Sequence, residues 1–278
     1  QPQRGSQVKV ASIQMVSGTS APANLDQAAS LLEQAAQAGA ELAVLPEYFC
    51  LMGQQDSDKL ALAEALGDGP MQRFLADTAR ALGLWLVAGT LPIAVPGESR
   101  VFNTSLVYGP DGVVKARYDK IHLFRFDNGQ EHYDEAVLLA PGRTPAWFDL
   151  ASKDGHTWRV GLSICYDLRF PELYRAYATA GANLLLVPSA FTYTTGEQHW
   201  EVLLRARAIE NLSYVLASAQ GGLHENGRRT WGHSMVVNPW GAVLARLDSG
   251  AGVVLAELDP AQLGAWRSQL PALQHRVL

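Results

Sequence analysis

The sequence predicts an α/β fold, and three observations carry that prediction. Short, almost continuously apolar runs alternate with amphipathic stretches of helical period. Hairpin signals interrupt the alternation in the middle of the chain and near its end. Across 278 residues, 48% are hydrophobic, which is ample for one sizeable core. Together these imply mixed or paired sheets with helices outside. No repeat, low-complexity segment or linker divides the chain, so residues 1–278 are expected to form a single domain. Residues 1–7 are expected to be a flexible tail or a cloning remnant.

Taken in order, Val8 to Met15 reads as a first strand. Asn24 is a candidate cap for a helix to about Ala38, with Leu25, Ala28, Leu31, Leu32 and Ala35 on one face and Gly39 as its stop. Glu41 to Leu45 is a covered strand ending in Pro46-Glu-Tyr-Phe49. Pro70 to Leu82 has helical period, with Phe74, Leu75, Thr78 and Leu82 inward, and Leu84 to Thr90 is a buried strand. Val101 to Tyr108 and Val113 to Arg117 flank a Gly109-Pro-Asp-Gly112 turn. Arg125 to Pro141 reads as a long polar loop, a common carrier of function. Trp147 to Leu150 and Trp158 to Ile164 are strands, and Pro171 opens a helix that Gly181 stops. Leu184 to Pro188 is a buried strand, followed by a helix from about Gln198 to Asn211. Strands at Tyr214 to Ala219, Ser234 to Asn238, Ala242 to Leu247 and Gly252 to Leu258 precede a short helix from Pro260 to Leu270.

A net charge of -5 implies no basic surface, so neither nucleic acid nor an anionic membrane is an expected partner. No apolar run is long enough to span a bilayer, and the polar N-terminus lacks the core of a signal peptide. The two cysteines, Cys50 and Cys165, form no disulfide framework and suit a reducing cytoplasm. The seven histidines show no metal-ligand spacing, so neither a metal nor a cofactor is expected.

Three polar residues, Glu47, Lys120 and Cys165, end or follow apolar strands. Taken singly, each has a structural reading: a solvated carboxylate, a surface lysine, a small buried hydrophobe. Cys165 differs from a core cysteine in its company, since Tyr166, Asp167 and Arg169 follow at once and Pro171 then starts a helix. A thiol at a strand-to-helix turn is exposed at the sheet edge, with backbone N–H groups near a developing oxyanion. The thiolate is the nucleophile, so it needs a base and a positive neighbour. A carboxylate in a partly dry pocket and a lysine supply both, which is the equipment of covalent amide hydrolysis. His122, His199 and His233 are the competing bases, and the sequence places none of them against Cys165.

Three motifs, in chain order, resemble the carbon–nitrogen hydrolase (nitrilase-like) superfamily. Leu45-Pro-Glu-Tyr48 is similar to its glutamate motif, Tyr118-Asp-Lys-Ile-His-Leu123 to its lysine motif, and Ile164-Cys-Tyr-Asp-Leu-Arg-Phe-Pro-Glu172 to its cysteine motif. The resemblance runs from Val8 to about His275. It implies a four-layer α-β-β-α sandwich, commonly dimerised, with Glu47 as general base, Cys165 as nucleophile and Lys120 as oxyanion stabiliser. It also implies the Tyr166 N–H as a second oxyanion donor and a second glutamate after the lysine. Glu135 fits that place by spacing, with Glu131 as competitor.

The segments Ser189 to Glu210, Trp231 to Gly241 and Leu270 to Arg276 resemble the branch that holds deaminated-glutathione amidase and omega-amidase, more closely the former. The implied substrate is a small carboxylated keto-acid amide, split to 2-oxoglutarate and cysteinylglycine, or to 2-oxoglutarate and ammonia in the omega-amidase alternative. Another nitrilase-like amidase, such as a carbamoyl-amide hydrolase, is a further alternative. So are an acyltransferase or amide synthase and a non-catalytic binding protein on the same scaffold. A carboxylated substrate needs a cation, and Arg169 is the candidate, with a structural pairing to Glu172 as its other reading. Tyr48 and Thr195 are candidate hydrogen-bonding groups of the pocket. Phe191, Trp200 and Trp231 are expected to pack, and His199 to be structural. A homodimer or higher homo-oligomer is expected.

Overall fold

The computed structural model describes residues 7–278, so of the tail expected over residues 1–7 all but Gln7 lies outside the described residues. Two sheets stack face to face between two layers of helices. The seven-stranded sheet runs in the order Gly252–Leu258, Val8–Gln14, Leu42–Val44, Trp85–Val87, Val101–Tyr108, Leu91–Ala94, with Val114–Asp119 also paired to Val101–Tyr108. The six-stranded sheet runs Val243–Leu247, Ser234–Val237, Tyr214–Ala219, Leu184–Ser189, Thr157–Leu162, Trp147–Ala151. Each has three parallel strands at its centre and antiparallel strands outside. The helices are α1 (Ala21–Gln37), α2 (Asp58–Leu62), α3 (Pro70–Leu82), α4 (Pro171–Thr179), α5 (Tyr193–Asn211) and α6 (Pro260–Gln269).

The two-residue period of the first strand builds two of the layers. Val8 and Val10 face the second sheet, while Ala11 and Ile13 face α1 and α3. Further along that strand the inward positions are polar. The Ser12 hydroxyl donates to the Ala217 carbonyl at 2.7 Å and meets the Ser218 hydroxyl at 3.0 Å. Gln14 Oε1 accepts from the Ser234 N–H at 2.9 Å and from its hydroxyl at 2.7 Å. These bonds run between the sheets, and each buried partner is satisfied, so the polar seam fixes registry at small cost.

Some boundaries depart from expectation for identifiable reasons. Asn24 does not cap α1; Ser20 does, because Pro22 suits the first turn, and Asn24 instead bonds Gly18 and Cys50 from inside the helix. The buried side of α3 is Met71, Gln72, Leu75 and Ala79, so only Leu75 of the expected inner face is fully covered. Helix α5 starts at Tyr193, capped by Thr192, several residues before Gln198. The polar loop contains a small hairpin, Arg125–Asp127 with His132–Asp134, followed by a tight turn at Glu135–Val137. Leu91–Ala94 is a strand despite Pro92, which sits at the edge of its sheet where a missing N–H is tolerated. Unforeseen too are α2 and the hairpin Gly221–Leu223 with Arg229–Trp231.

Candidate active site

Strand ends from both sheets converge on one cavity with about 660 Å³ of open space, lined by Glu47, Lys120, Glu135, Cys165 and Tyr166 among others. Glu47 follows the strand Leu42–Val44, and Lys120 is the residue after Val114–Asp119; both belong to the seven-stranded sheet. Cys165 follows Thr157–Leu162 and Ala190 follows Leu184–Ser189, in the six-stranded sheet. The chemistry therefore sits on the seam between the sheets.

Lys120 is the electrostatic centre. Its ammonium donates to Glu47 Oε2 at 3.1 Å and to Glu135 Oε1 at 2.7 Å, with its side chain only 1% exposed. Burial disfavours the charge, but the carboxylates of Glu135 and Glu47 outweigh it and hold Lys120 above the ordinary lysine range. Burial likewise works against the Glu135 carboxylate, yet Lys120 and the Phe124 N–H, which donates at 2.6 Å, leave it below the ordinary range. Glu47 is fixed on every side: its Oε2 also accepts from Asn103 Nδ2 at 2.9 Å, and its Oε1 from the Ala190 N–H at 3.0 Å. Of the two candidate second glutamates, Glu135 meets Lys120, while Glu131 reaches Thr194 at the surface.

Cys165 has φ +48°, a left-handed conformation that a non-glycine residue adopts only when its surroundings enforce it. It opens a tight helical turn, Cys165–Arg169, whose first N–H groups have no intrahelical partner, so the Tyr166 amide is available at the cavity. Burial and then the Glu47 charge push the thiol well above its usual range, with Lys120 acting against them. Cys50 is raised to about 12 by burial, but it packs under α1 and does not line the cavity.

Asp167 locks the two sheets' contributions together. It is fully buried, and its Oδ2 accepts from the Tyr118 hydroxyl at 2.5 Å and the Ile164 N–H at 2.9 Å. Its Oδ1 accepts from the His122 N–H at 3.1 Å and lies 2.7 Å from His122 Nδ1. Tyr118 and His122 straddle Lys120, and Ile164 precedes Cys165. The glutamate side has its own anchors. The Tyr48 N–H donates to Thr90 Oγ1 at 3.0 Å, and the Tyr48 hydroxyl donates to Glu135 Oε2 at 2.8 Å. Gly89, at φ +36°, passes so close that a Cβ there would overlap the Pro46 carbonyl.

Residues 9–268 match the carbon-nitrogen hydrolase family model. The chain belongs to the carbon-nitrogen hydrolase family. A Synechocystis sp. protein described as "Deaminated glutathione amidase" is 42% identical over 96% of this hydrolase and 97% of that protein. The C. elegans NitFhit crystal structure superposes with a TM-score of 0.88 at 38% identity, over 98% of this chain, which spans 65% of that fusion protein. A mutant of the amidase from Nesterenkonia sp. AN1 superposes with a TM-score of 0.82 at 29% identity, over 98% of this chain and 95% of that one. That structure shows covalent addition of the acetamide moiety of fluoroacetamide at its active site cysteine. The α-β-β-α sandwich expected of a nitrilase-like chain is the fold observed.

Arg169, Tyr48 and Thr195 all line this carbon-nitrogen hydrolase's cavity. Arg169 does not pair with Glu172; its Nη1 lies 3.1 Å from His199 Nδ1, and its guanidinium sits 5.4 Å from the centroid of the Phe191 ring. The Thr195 hydroxyl is engaged with Thr192 Oγ1 at 2.7 Å, as part of the α5 cap. Phe191, expected only to pack, both packs on Trp200 and lines the cavity. Trp200 is buried, and Trp231 stacks on His233. Sequence reasoning missed two cavity cations, Lys59 and Arg228. They lie on elements it did not foresee, and no short-range pattern links them to Cys165.

Proposed function

We propose that this chain is a thiol amidase hydrolysing deaminated glutathione to 2-oxoglutarate and cysteinylglycine. The observation that carries the reading is the buried Lys120 held between Glu47 and Glu135 beside Cys165. The curated relatives described as deaminated glutathione amidase, at 39–42% identity over 96% of this chain, supply the substrate.

Glu47 takes the thiol proton as Cys165 Sγ attacks the amide carbonyl. The oxyanion rests on the Lys120 ammonium and the Tyr166 N–H, while Glu135 orients Lys120. The tetrahedral intermediate collapses, the C–N bond breaks, and Glu47 returns its proton to the departing amine of cysteinylglycine. Glu47 then deprotonates a water that attacks the thioester, and a second collapse frees 2-oxoglutarate and restores the thiol. Arg169 takes the 2-oxo-acid carboxylate of the acyl half, an assignment supported by its place in the cavity and its lack of a carboxylate partner among the described residues. The enzyme works in the cytoplasm, as one domain, and as a homodimer or higher homo-oligomer. Val202 and Ile209 of α5 and nearby Trp240, exposed by 60%, 46% and 49%, support the last point.

The test is hydrolysis of deaminated glutathione and 2-oxoglutaramate by the purified protein, with Cys165→Ala as control. A kcat/KM preference of about tenfold or more for the former, about 1.4 kcal/mol, supports the reading. The reverse preference makes this an omega-amidase. Equal rates from Cys165→Ala refute the thiol mechanism.

A further inference from the structure

We propose that Lys59 and Arg228 form a second anion-binding subsite, which recognises the C-terminal carboxylate of the amine leaving group. This rests on the amidase reading above and names the part of the substrate that the far end of the cavity takes.

Both side chains line the Cys165 cavity. Both also line a smaller adjoining cavity of about 240 Å³ under Tyr48, Met52 and Asp56. Among the described residues Lys59 makes no hydrogen bond and no ion pair; its ammonium lies 4.6 Å from the centroid of the Tyr48 ring. Arg228 sits 5.2 Å from the centroid of the Tyr133 ring, and its ion pair to Asp56 is stretched to 4.0 Å. Aromatic rings back both cations, and among the described residues the Arg228 guanidinium donates only to Met52 Sδ, a weak acceptor at 3.6 Å. Burial, the largest influence on Lys59, lowers its affinity for a proton, and Arg228 acts in the same direction. Glu135 and Asp56 offset this only partly. Neither cation has a hydrogen-bonded carboxylate partner among the described residues, and an incoming carboxylate can accept from both.

The two side chains are held in mutual position. Lys59 is on α2, and Arg228 is at the tip of the Gly221–Leu223 and Arg229–Trp231 hairpin. Asn226 Nδ2 clasps the hairpin to the Gly53 carbonyl at 2.8 Å, and Thr19 donates to Glu225 at 2.8 Å.

Position decides which half of the substrate goes where. Arg169 ends the tight turn that Cys165 begins and lines the same cavity, on the Phe191 wall. Lys59 and Arg228 are shared by the Cys165 cavity and the second one, whose added length suits a dipeptide leaving group. Deaminated glutathione has a carboxylate on each half, whereas 2-oxoglutaramate has only the acyl one. The second subsite thus selects the longer substrate through its leaving group.

The experiment compares deaminated glutathione with its C-terminal carboxamide analogue, and with 2-oxoglutaramate. The proteins are wild type, Lys59→Met, Arg228→Gln and the double variant. The wild type is expected to favour the free carboxylate by about tenfold or more, mainly through KM, and the double variant by less than about threefold. The preference for deaminated glutathione over 2-oxoglutaramate should fall by a similar factor. Each readout is a ratio within one protein, so a lower folded fraction cancels. A wild type indifferent to the carboxamide, or a double variant that keeps the full preference, overturns the assignment while leaving the amidase reading intact. A wild type that hydrolyses none of the three overturns the amidase reading and the subsite with it.

Discussion

Replacing Asp167 by Asn tests how the two sheets are held in catalytic alignment. The change is nearly isosteric, removes one charge, and puts an NH2 group where one carboxylate oxygen accepts two bonds. If that group replaces Oδ2, the Ile164 N–H at 2.9 Å loses its acceptor, while the Tyr118 hydroxyl can reverse and accept. If it replaces Oδ1, the His122 N–H at 3.1 Å loses its acceptor, and Nδ1 at 2.7 Å keeps a partner only by changing tautomer. One or two bonds to a charged acceptor, at about 1.5–3 kcal/mol each, disappear inside a fully buried site. The expected destabilisation is about 3 kcal/mol, which for a chain of this size lowers Tm by roughly 6–12 °C. The turn before Cys165 and the segment around Lys120 then shift relative to each other, and kcat should fall by about a hundredfold, as for misplacements near 1 Å. Urea unfolding gives the stability, and initial rates on an amide substrate give kcat and KM separately. A variant within about 1 kcal/mol of wild type and within about threefold in kcat would refute the alignment argument. A rise in KM alone would move the role of Asp167 from alignment to binding.

Further outcomes follow from the same geometry. Lys120→Met leaves the Glu47 and Glu135 carboxylates buried without their counter-charge. It should cost about 3–5 kcal/mol in urea unfolding and reduce kcat by about 10²- to 10³-fold. Brief alkylation of the native protein should label Cys165 and spare Cys50, by peptide mass analysis, because of the two only Cys165 lines the cavity. Labelling of Cys50 at an equal rate would contradict the burial described. His224 is depressed below its usual range by burial; its Nδ1 lies 2.8 Å from the Ser17 carbonyl and its Nε2 2.7 Å from Thr230 Oγ1. Below about pH 6.5 the unfolded chain binds the extra proton more readily, so stability falls with pH until the depressed folded value is reached. The urea midpoint should therefore drop less between pH 7.5 and pH 5.5 in His224→Gln than in wild type.

Local chemistry made much of this legible from residues alone. Pro70 and Pro171 announce helix starts, and both open helices as expected. The polar residues that end apolar runs, Glu47, Lys120 and Cys165, are those brought to one cavity: Glu47 and Cys165 follow parallel strands, and the Lys120 strand, antiparallel to Val101–Tyr108, runs the same way as Trp85–Val87. What stayed hidden depends on long-range packing. Asn24 has the chemistry of a cap, but Gly18 and Cys50 recruit it elsewhere. A single-turn helix such as α2 has too few residues for a period to show. Lys59 and Arg228 share a cavity because Asn226 and Glu225 tie a hairpin tip to Gly53 and Thr19, pairings without sequence periodicity.

The polar seam, with its Ser12–Ser218 and Gln14–Ser234 bonds, has a consequence for how the enzyme can fail. Glu47 and Lys120 ride on one sheet, and Cys165 rides on the other. Catalytic competence is therefore a reading of slip between two slabs. A shear of about 1 Å that leaves every strand paired and every helix wound is enough to cost turnover about a hundredfold. Mutations along this buried seam, far from any substrate atom, can behave as inactivating lesions in a protein whose circular dichroism looks native.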